Sequence, residues 1–255
     1  MAFLGTGVKA AAATILSVWF LAATTHASQT SGEGCTYLSP GRLAYVGDTG
    51  EKFGACLDGA HTAAIRELQI SSHGGDAWQT LQVVERYRGK LDLLVVTGRC
   101  NSSCANYVIP AVKRLIVRPH AYVIVHGSID PDAVAHYLGF QRKALQKQFQ
   151  NAKPEDLDKA AAGAIAEITK QRAVQDAFEN RNLACAEWLH PDDYVSAQIA
   201  RGRVEKKASD VTAVIVTSAM AKRCLKRTRI VQFWQPDSDS KRLSALFKKG
   251  AILAP

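Results

Sequence analysis

Three stretches of the chain carry residue types that could cooperate in acyl transfer. Ser71-Ser72-His73-Gly74-Gly75-Asp76 is a Gly-Gly turn between a short apolar run and a helical pattern. Gly98-Arg99-Cys100-Asn101-Ser102-Ser103-Cys104 sets two serines between two cysteines at the same kind of boundary. His126 directly follows the apolar run Tyr122-Val123-Ile124-Val125. A serine hydroxyl becomes a useful nucleophile when a neighbouring base takes its proton, and histidine suits that task near neutral pH. Ser102 at a helix start would gain from the helix dipole. The backbone N–H of Ser103, with that of the unhindered Gly75, could hold the developing oxyanion. Blander readings stand beside these. Ser102 can be a helix N-cap, and His126 a hydrogen-bonded residue at a strand end. Gly74-Gly75 suits unusual backbone angles in either case, and His73 reads as exposed. Asn101-Ser102-Ser103 is formally a glycosylation sequon, read as fortuitous at this place. Lys113, Lys143 and Lys147 leave a Ser–Lys dyad open, although nothing in the sequence directs one of them at Ser102.

The elements that must position these residues alternate between strand and helix patterns. Glu67–Ser71, Leu91–Thr97 and Tyr122–Val125 read as strands, the second as one covered on both faces. Ala77–Tyr87 is helical, with Leu81, Val84 and Tyr87 on one face, and Ser103–Leu115 can be helical too. Pro110 inside that segment should kink or shorten it. The alternation predicts an α/β fold of β-α-β units with a largely parallel sheet. In such a sheet both turns and His126 fall at the carboxyl edge, where ligand sites gather. Further helices are expected from Pro131 to about Phe149, from Pro154 to about Leu183, and after His190-Pro191-Asp192-Asp193 up to Gly202.

Residues 1–27 read as an export signal outside the fold. Lys9 precedes an apolar stretch, Ala10–Ala23, and Thr25-His26-Ala27 suits cleavage. The expected location is periplasmic or secreted. All six cysteines lie after that segment, which favours disulfides. Local spacing favours Cys35–Cys56 and Cys100–Cys104, leaving Cys185–Cys224. The spacing lacks a four-ligand zinc pattern, so no metal is expected. Nor does the sequence imply a cofactor, and it holds no phosphate-binding loop.

In order and spacing, these residues resemble the Clp-protease and crotonase superfamily, most closely its exported bacterial members with a Cys-x-Ser-x-Cys turn. The resemblance covers residues 62–130 well and continues loosely to about 204. It implies a crotonase-like fold of stacked β-α-β units and a peptidase-like hydrolase. Ser102 takes the nucleophile's place and His126 the general base's. The backbone N–H groups of Gly75 and Ser103 form the oxyanion hole, and Lys113-Arg114 matches the basic pair after the nucleophile helix. The resemblance also implies a peptide or protein substrate and self-association. One departure stands out: the third triad member should fall near Ala184–Glu187, where no Asp occurs and Glu187 is the nearest carboxylate. Losing an orienting acid costs about 10⁴ in rate in a model triad. A catalytically degenerate fold that binds a peptide, an envelope component or its own copies is therefore the alternative.

The 255-residue chain carries a formal net charge of +9, with 47% hydrophobic and 22% charged residues. That balance excludes a disordered or collagen-like chain. The charge is uneven. Residues 203–255 hold twelve Lys and Arg against four acids, whereas 28–202 are balanced. The sequence thus divides into a signal (1–27), the Clp-like α/β domain (28–202) and a basic C-terminal extension (203–255). The extension reads as a solvated basic face on packed structure, or as a contact for an anionic envelope surface. Export and the lack of a recognisable motif argue against nucleic acid.

Overall fold

The computed structural model describes residues 34–60, 64–130, 132, 135, 147, 153–201, 213–234 and 251–253. The export segment expected over 1–27 lies outside the described residues. So do most of the helix expected from Pro131 to Phe149, and 202–212 and 235–250 of the basic extension. The chain divides into two compact units. One comprises residues 1–30 and 129–174; the other, which holds Gly75, Ser102, Ser103, His126 and Glu187, comprises 31–128 and 175–255.

The larger unit is built on one mixed, mostly parallel sheet. Strand β1 (Gly34–Ser39) pairs antiparallel with β2 (Arg42–Val46). β2, β3 (Ile65–Ser72) and β4 (Leu91–Asn101) then run parallel. Helix α1 (Glu51–Asp58) lies between β2 and β3 in the chain, and α2 (Ala77–Arg86) between β3 and β4. This is the α/β alternation expected from the sequence. β3 shows why it is a strand: Leu68, Ile70 and Ser72 are buried at every second position, with half-buried residues between. In β4, Leu94, Val95 and Val96 are buried consecutively, so both faces are covered there.

β4 changes partners along its length. Leu93–Val96 pair with β5 (Arg114–Val117), and Arg99–Asn101 pair with β6 (Tyr122–Val125). The switch coincides with a register shift against β3, from Ile70 opposite Val96 to Ser72 opposite Cys100. The extra residues include Gly98, where a Cβ would lie 2.6 Å from Ser71 Oγ. The bulge bends β4 and delivers its end to β6, next to the Gly-Gly turn.

The helix expected over Ser103–Leu115 is shorter. A π-helical turn, Cys104–Val108, runs into α3 (Ile109–Ala111). Pro110 has no N–H to continue the ladder, and by Val112 the chain is extended. The residues read as the end of that helix begin β5 instead. Helix α4 (Pro154–Asn182) matches its expected bounds closely; from Gln175 onward it belongs to the larger unit. A 3₁₀ turn, Ala186–Trp188, precedes α5 (Pro191–Ala200).

The basic segment also enters the sheet. β7 (Ala213–Ile215) pairs antiparallel with β6, β8 (Arg229–Phe233) pairs parallel with β5, and β9 (Ala251–Leu253) pairs with β7. Helix α6 (Ser218–Cys224) buries Met220, Ala221 and Cys224, and is capped by the Thr217 hydroxyl, which accepts from Met220 N–H. All three expected disulfides are present: Cys35–Cys56, Cys100–Cys104 and Cys185–Cys224. Among the described residues, no helix is long and apolar enough to cross a membrane.

Candidate functional site

The Gly-Gly turn is fixed by its own residues. Ser72 Oγ accepts from the Gly74 N–H at 3.0 Å. Asp76 caps α2, its Oδ1 accepting from the Gln79 N–H at 2.8 Å. Gly74 has φ +104, and a Cβ there would lie 2.5 Å from the Ser102 Cβ and 2.8 Å from the Asn101 carbonyl oxygen. Only glycine lets the turn approach Ser102 this closely. Gly75 meets a second constraint: its Cβ would lie 2.0 Å from the Thr49 carbonyl oxygen. His73 is exposed, as expected, with Nδ1 3.1 Å from the Arg99 guanidinium.

Ser102 follows β4 directly and lies in the left-handed region, at φ 52. Among the described residues only His120 shares that feature without being glycine. The Ser102 N–H donates to the Ile124 carbonyl at 3.0 Å, and its carbonyl accepts from the Asn106 N–H at 2.7 Å. The Cys100–Cys104 disulfide spans it with a Cα–Cα distance of 5.2 Å. A serine N-cap has extended dihedrals and a side chain that accepts from the first turn. Ser102 has neither, since no hydrogen bond engages its Oγ among the described residues. Non-glycine residues in the left-handed region cost about 1–2 kcal/mol. Strain of this kind persists where surrounding structure over-determines it, often at functional sites. Here a disulfide, two backbone hydrogen bonds and the Gly74 contact do so.

Ser103 is buried at 2% exposure. Its N–H, at the start of the π-turn, and that of Gly75 donate to no backbone carbonyl in the described turns and loops. Its side chain reaches the Gly75 carbonyl at 3.1 Å and the Thr49 hydroxyl at 2.7 Å. Asn101 pairs with Ile124, so Ser102 is level with Val125, and His126 follows one residue further along the same edge. His126 is open to solvent on part of its surface. The protein packed around the rest holds its pKa below the ordinary imidazole value by desolvation. The neutral, base-competent form is thereby favoured. Among the described residues no hydrogen bond links His126 to Ser102.

The remaining candidates lie elsewhere. Glu187 pairs with Arg223 at 3.7 Å, beside the Cys185–Cys224 bridge. Among the described residues no carboxylate stands at ion-pair distance from His126. Among the described residues a carboxylate–imidazole pair is formed by Glu179 and His190, at 3.4 Å, and the other ring nitrogen of His190 is 3.5 Å from Ser128 Oγ. The Lys113 N–H donates to the carbonyls of Leu91 and Asp92, at the start of β4. Ser102 lies just past its far end, so Lys113 is anchored at the opposite end of the strand from it. Arg114 clasps Asp92 with two hydrogen bonds. Lys143 lies outside the described residues, and Lys147 is exposed in the smaller unit. Sulfur ligands at Cys185 and Cys224 are unavailable to a metal, being bonded to each other.

Two residues escaped sequence reasoning. Thr49 touches the site through its N–H bond to the Gly74 carbonyl, its backbone bridge to Gly75 and its hydroxyl contact with Ser103. Asn106 donates from Nδ2 to the Gly127 carbonyl at 2.6 Å and so holds the turn after His126. A polar residue amid the apolar Tyr107-Val108-Ile109 neighbourhood was the available signal for Asn106; Thr49 had none. No protein-family model matches this chain, and no curated protein or solved structure does either.

Proposed function

We propose that this protein is an exported serine hydrolase, peptidase-like, with the crotonase-like architecture that its motifs resemble. Ser102 is the nucleophile, His126 the general base, and the N–H groups of Gly75 and Ser103 the oxyanion donors. The observation that carries this reading is Ser102 itself: a serine at φ 52 on a bent strand end, against a glycine that no larger residue could replace. In the reaction, Ser102 Oγ attacks the substrate carbonyl carbon while His126 takes the hydroxyl proton. The tetrahedral oxyanion is held by the two N–H groups. His126 then gives its proton to the leaving amine, forming an acyl-serine. Water, deprotonated by His126, attacks that ester, and the Ser102 oxygen leaves and regains a proton. Three disulfides support an oxidising compartment, in line with the signal-like N-terminal segment.

The second reading, a degenerate member that binds without catalysis, is favoured by one observation. Glu187, the carboxylate nearest the expected third position, is occupied by Arg223. Incubation with a fluorophosphonate probe separates the two. Labelling that vanishes in Ser102→Ala supports the hydrolase; folded wild-type protein that takes no label supports the binding fold.

A further inference from the structure

The Ser103 side chain points to a device that its N–H alone would not require. The Gly74 carbonyl accepts from the Thr49 N–H at 2.8 Å. That carbonyl and the Gly75 N–H belong to one trans peptide and point in opposite directions. Pinning the carbonyl to Thr49 therefore aims the Gly75 N–H away from Thr49. The next carbonyl, of Gly75, is pinned in turn by the Ser103 hydroxyl at 3.1 Å. With its proton committed there, the Ser103 oxygen must accept at its 2.7 Å contact, so the Thr49 hydroxyl is the donor. Thr49 and Ser103 are each 2% exposed, so both hydroxyls are shielded from competing water. The backbone approach between Thr49 and Gly75 leaves no room for a Cβ.

From this we infer that Thr49 and the Ser103 hydroxyl are positioning residues for the oxyanion hole. The chain Thr49 O–H to Ser103 O–H to Gly75 carbonyl locks the two donor loops to each other, fixing the separation and aim of the Gly75 and Ser103 N–H groups. Ser103 thus serves twice, with its amide as donor and its hydroxyl as the tie to the other donor. This inference rests on the hydrolase reading.

The test measures the limiting inactivation rate and the half-saturating concentration of a fluorophosphonate probe on the full chain, with thermal midpoints recorded in parallel. Wild type, Ser103→Ala, Thr49→Val, Thr49→Ser and the double variant Ser103→Ala/Thr49→Val are compared. Misplacing one donor should slow inactivation about 10- to 100-fold in Ser103→Ala and Thr49→Val, with half-saturation little changed. Thr49→Ser keeps the hydroxyl and should restore the rate to within about threefold of wild type. The double variant should be no slower than the worse single, because one chain is broken in each. If Ser103→Ala does not fold, the Thr49→Val and Thr49→Ser pair carries the comparison. Equal rates in all variants, or a Thr49→Ser as slow as Thr49→Val, overturn the positioning role and leave the hydrolase standing. Wild-type protein that takes no label overturns both.

Discussion

The strain at Ser102 makes a prediction whose sign is unusual. At an ordinary position, glycine is less stable than alanine by about 0.5–1 kcal/mol, because it loses more backbone freedom on folding. Ser102 sits at φ 52, where a residue with a Cβ costs about 1–2 kcal/mol. Replacing Ser102 by Ala retains that cost; replacing it by Gly removes it. The hydroxyl makes no hydrogen bond in the described structure, so its loss enters both variants equally. The balance leaves Ser102→Gly more stable than Ser102→Ala by about 0.5–1 kcal/mol. In a domain of this size that is a gap of roughly 1–4 °C in thermal midpoint. Thermal unfolding of both variants with disulfides intact measures it, and neither should take the fluorophosphonate label. An alanine variant as stable as the glycine variant, or more so, would refute the claim that the backbone at Ser102 is strained.

Two further outcomes follow from the same structure. Desolvation lowers the His126 pKa from the ordinary 6.5, so the unfolded chain binds a proton at a higher pH than the folded one. Stability should therefore be whole above about pH 6.5 and fall with acid towards the lowered value. His126→Gln should flatten that slope, and the acid limb of probe labelling should lie below 6.5; a limb at or above 6.5 contradicts the burial argument. A chain ending at Gly202 should not unfold cooperatively. It loses β7 and β8, leaves Cys185 unpaired, and forfeits a cross-link whose 39-residue separation is worth about 4 kcal/mol in loop entropy. A sharp denaturant transition in that truncated chain would contradict the observed packing.

Much of the sheet was legible because burial leaves marks in sequence. Leu94-Val95-Val96 and Tyr122–Val125 are apolar without interruption, and the structure buries all of these but Tyr122, which is half-buried. α2 showed its buried face through Leu81, Val84 and Tyr87. β5 was not legible. Leu115-Ile116-Val117 is too short to separate strand from helix by period, and its state is decided by β4 on one side and β8, over a hundred residues later, on the other. The three site loops were legible from residue type and order. The tie between them was not, because the Thr49 contact joins residues 54 apart and depends on where the Gly-Gly turn lands.

Charge proved a weaker guide to packing than apolar spacing. The run Lys222-Arg223-Cys224-Leu225-Lys226-Arg227-Thr228-Arg229 reads by count as a basic block. In the structure its five Lys and Arg are exposed, while Cys224, Leu225 and Thr228 between them are buried. Cys224 bonds to Cys185, and its carbonyl accepts from the Ala184 N–H at 2.7 Å. The Thr228 hydroxyl caps the end of α3, reaching the carbonyls of Ile109 and Val112 at 3.2 and 2.9 Å. The Val112 carbonyl is of the kind a helix terminus leaves without an intrahelical partner, the Ile109 carbonyl also accepts from the Val112 N–H at 3.4 Å, and here Pro110 has forced the terminus early. The segment therefore completes the helix that begins at Ser103. Its charge is what remains on the outside once those positions are filled, so a change at Thr228 should be felt through α3 before any change at the neighbouring arginines.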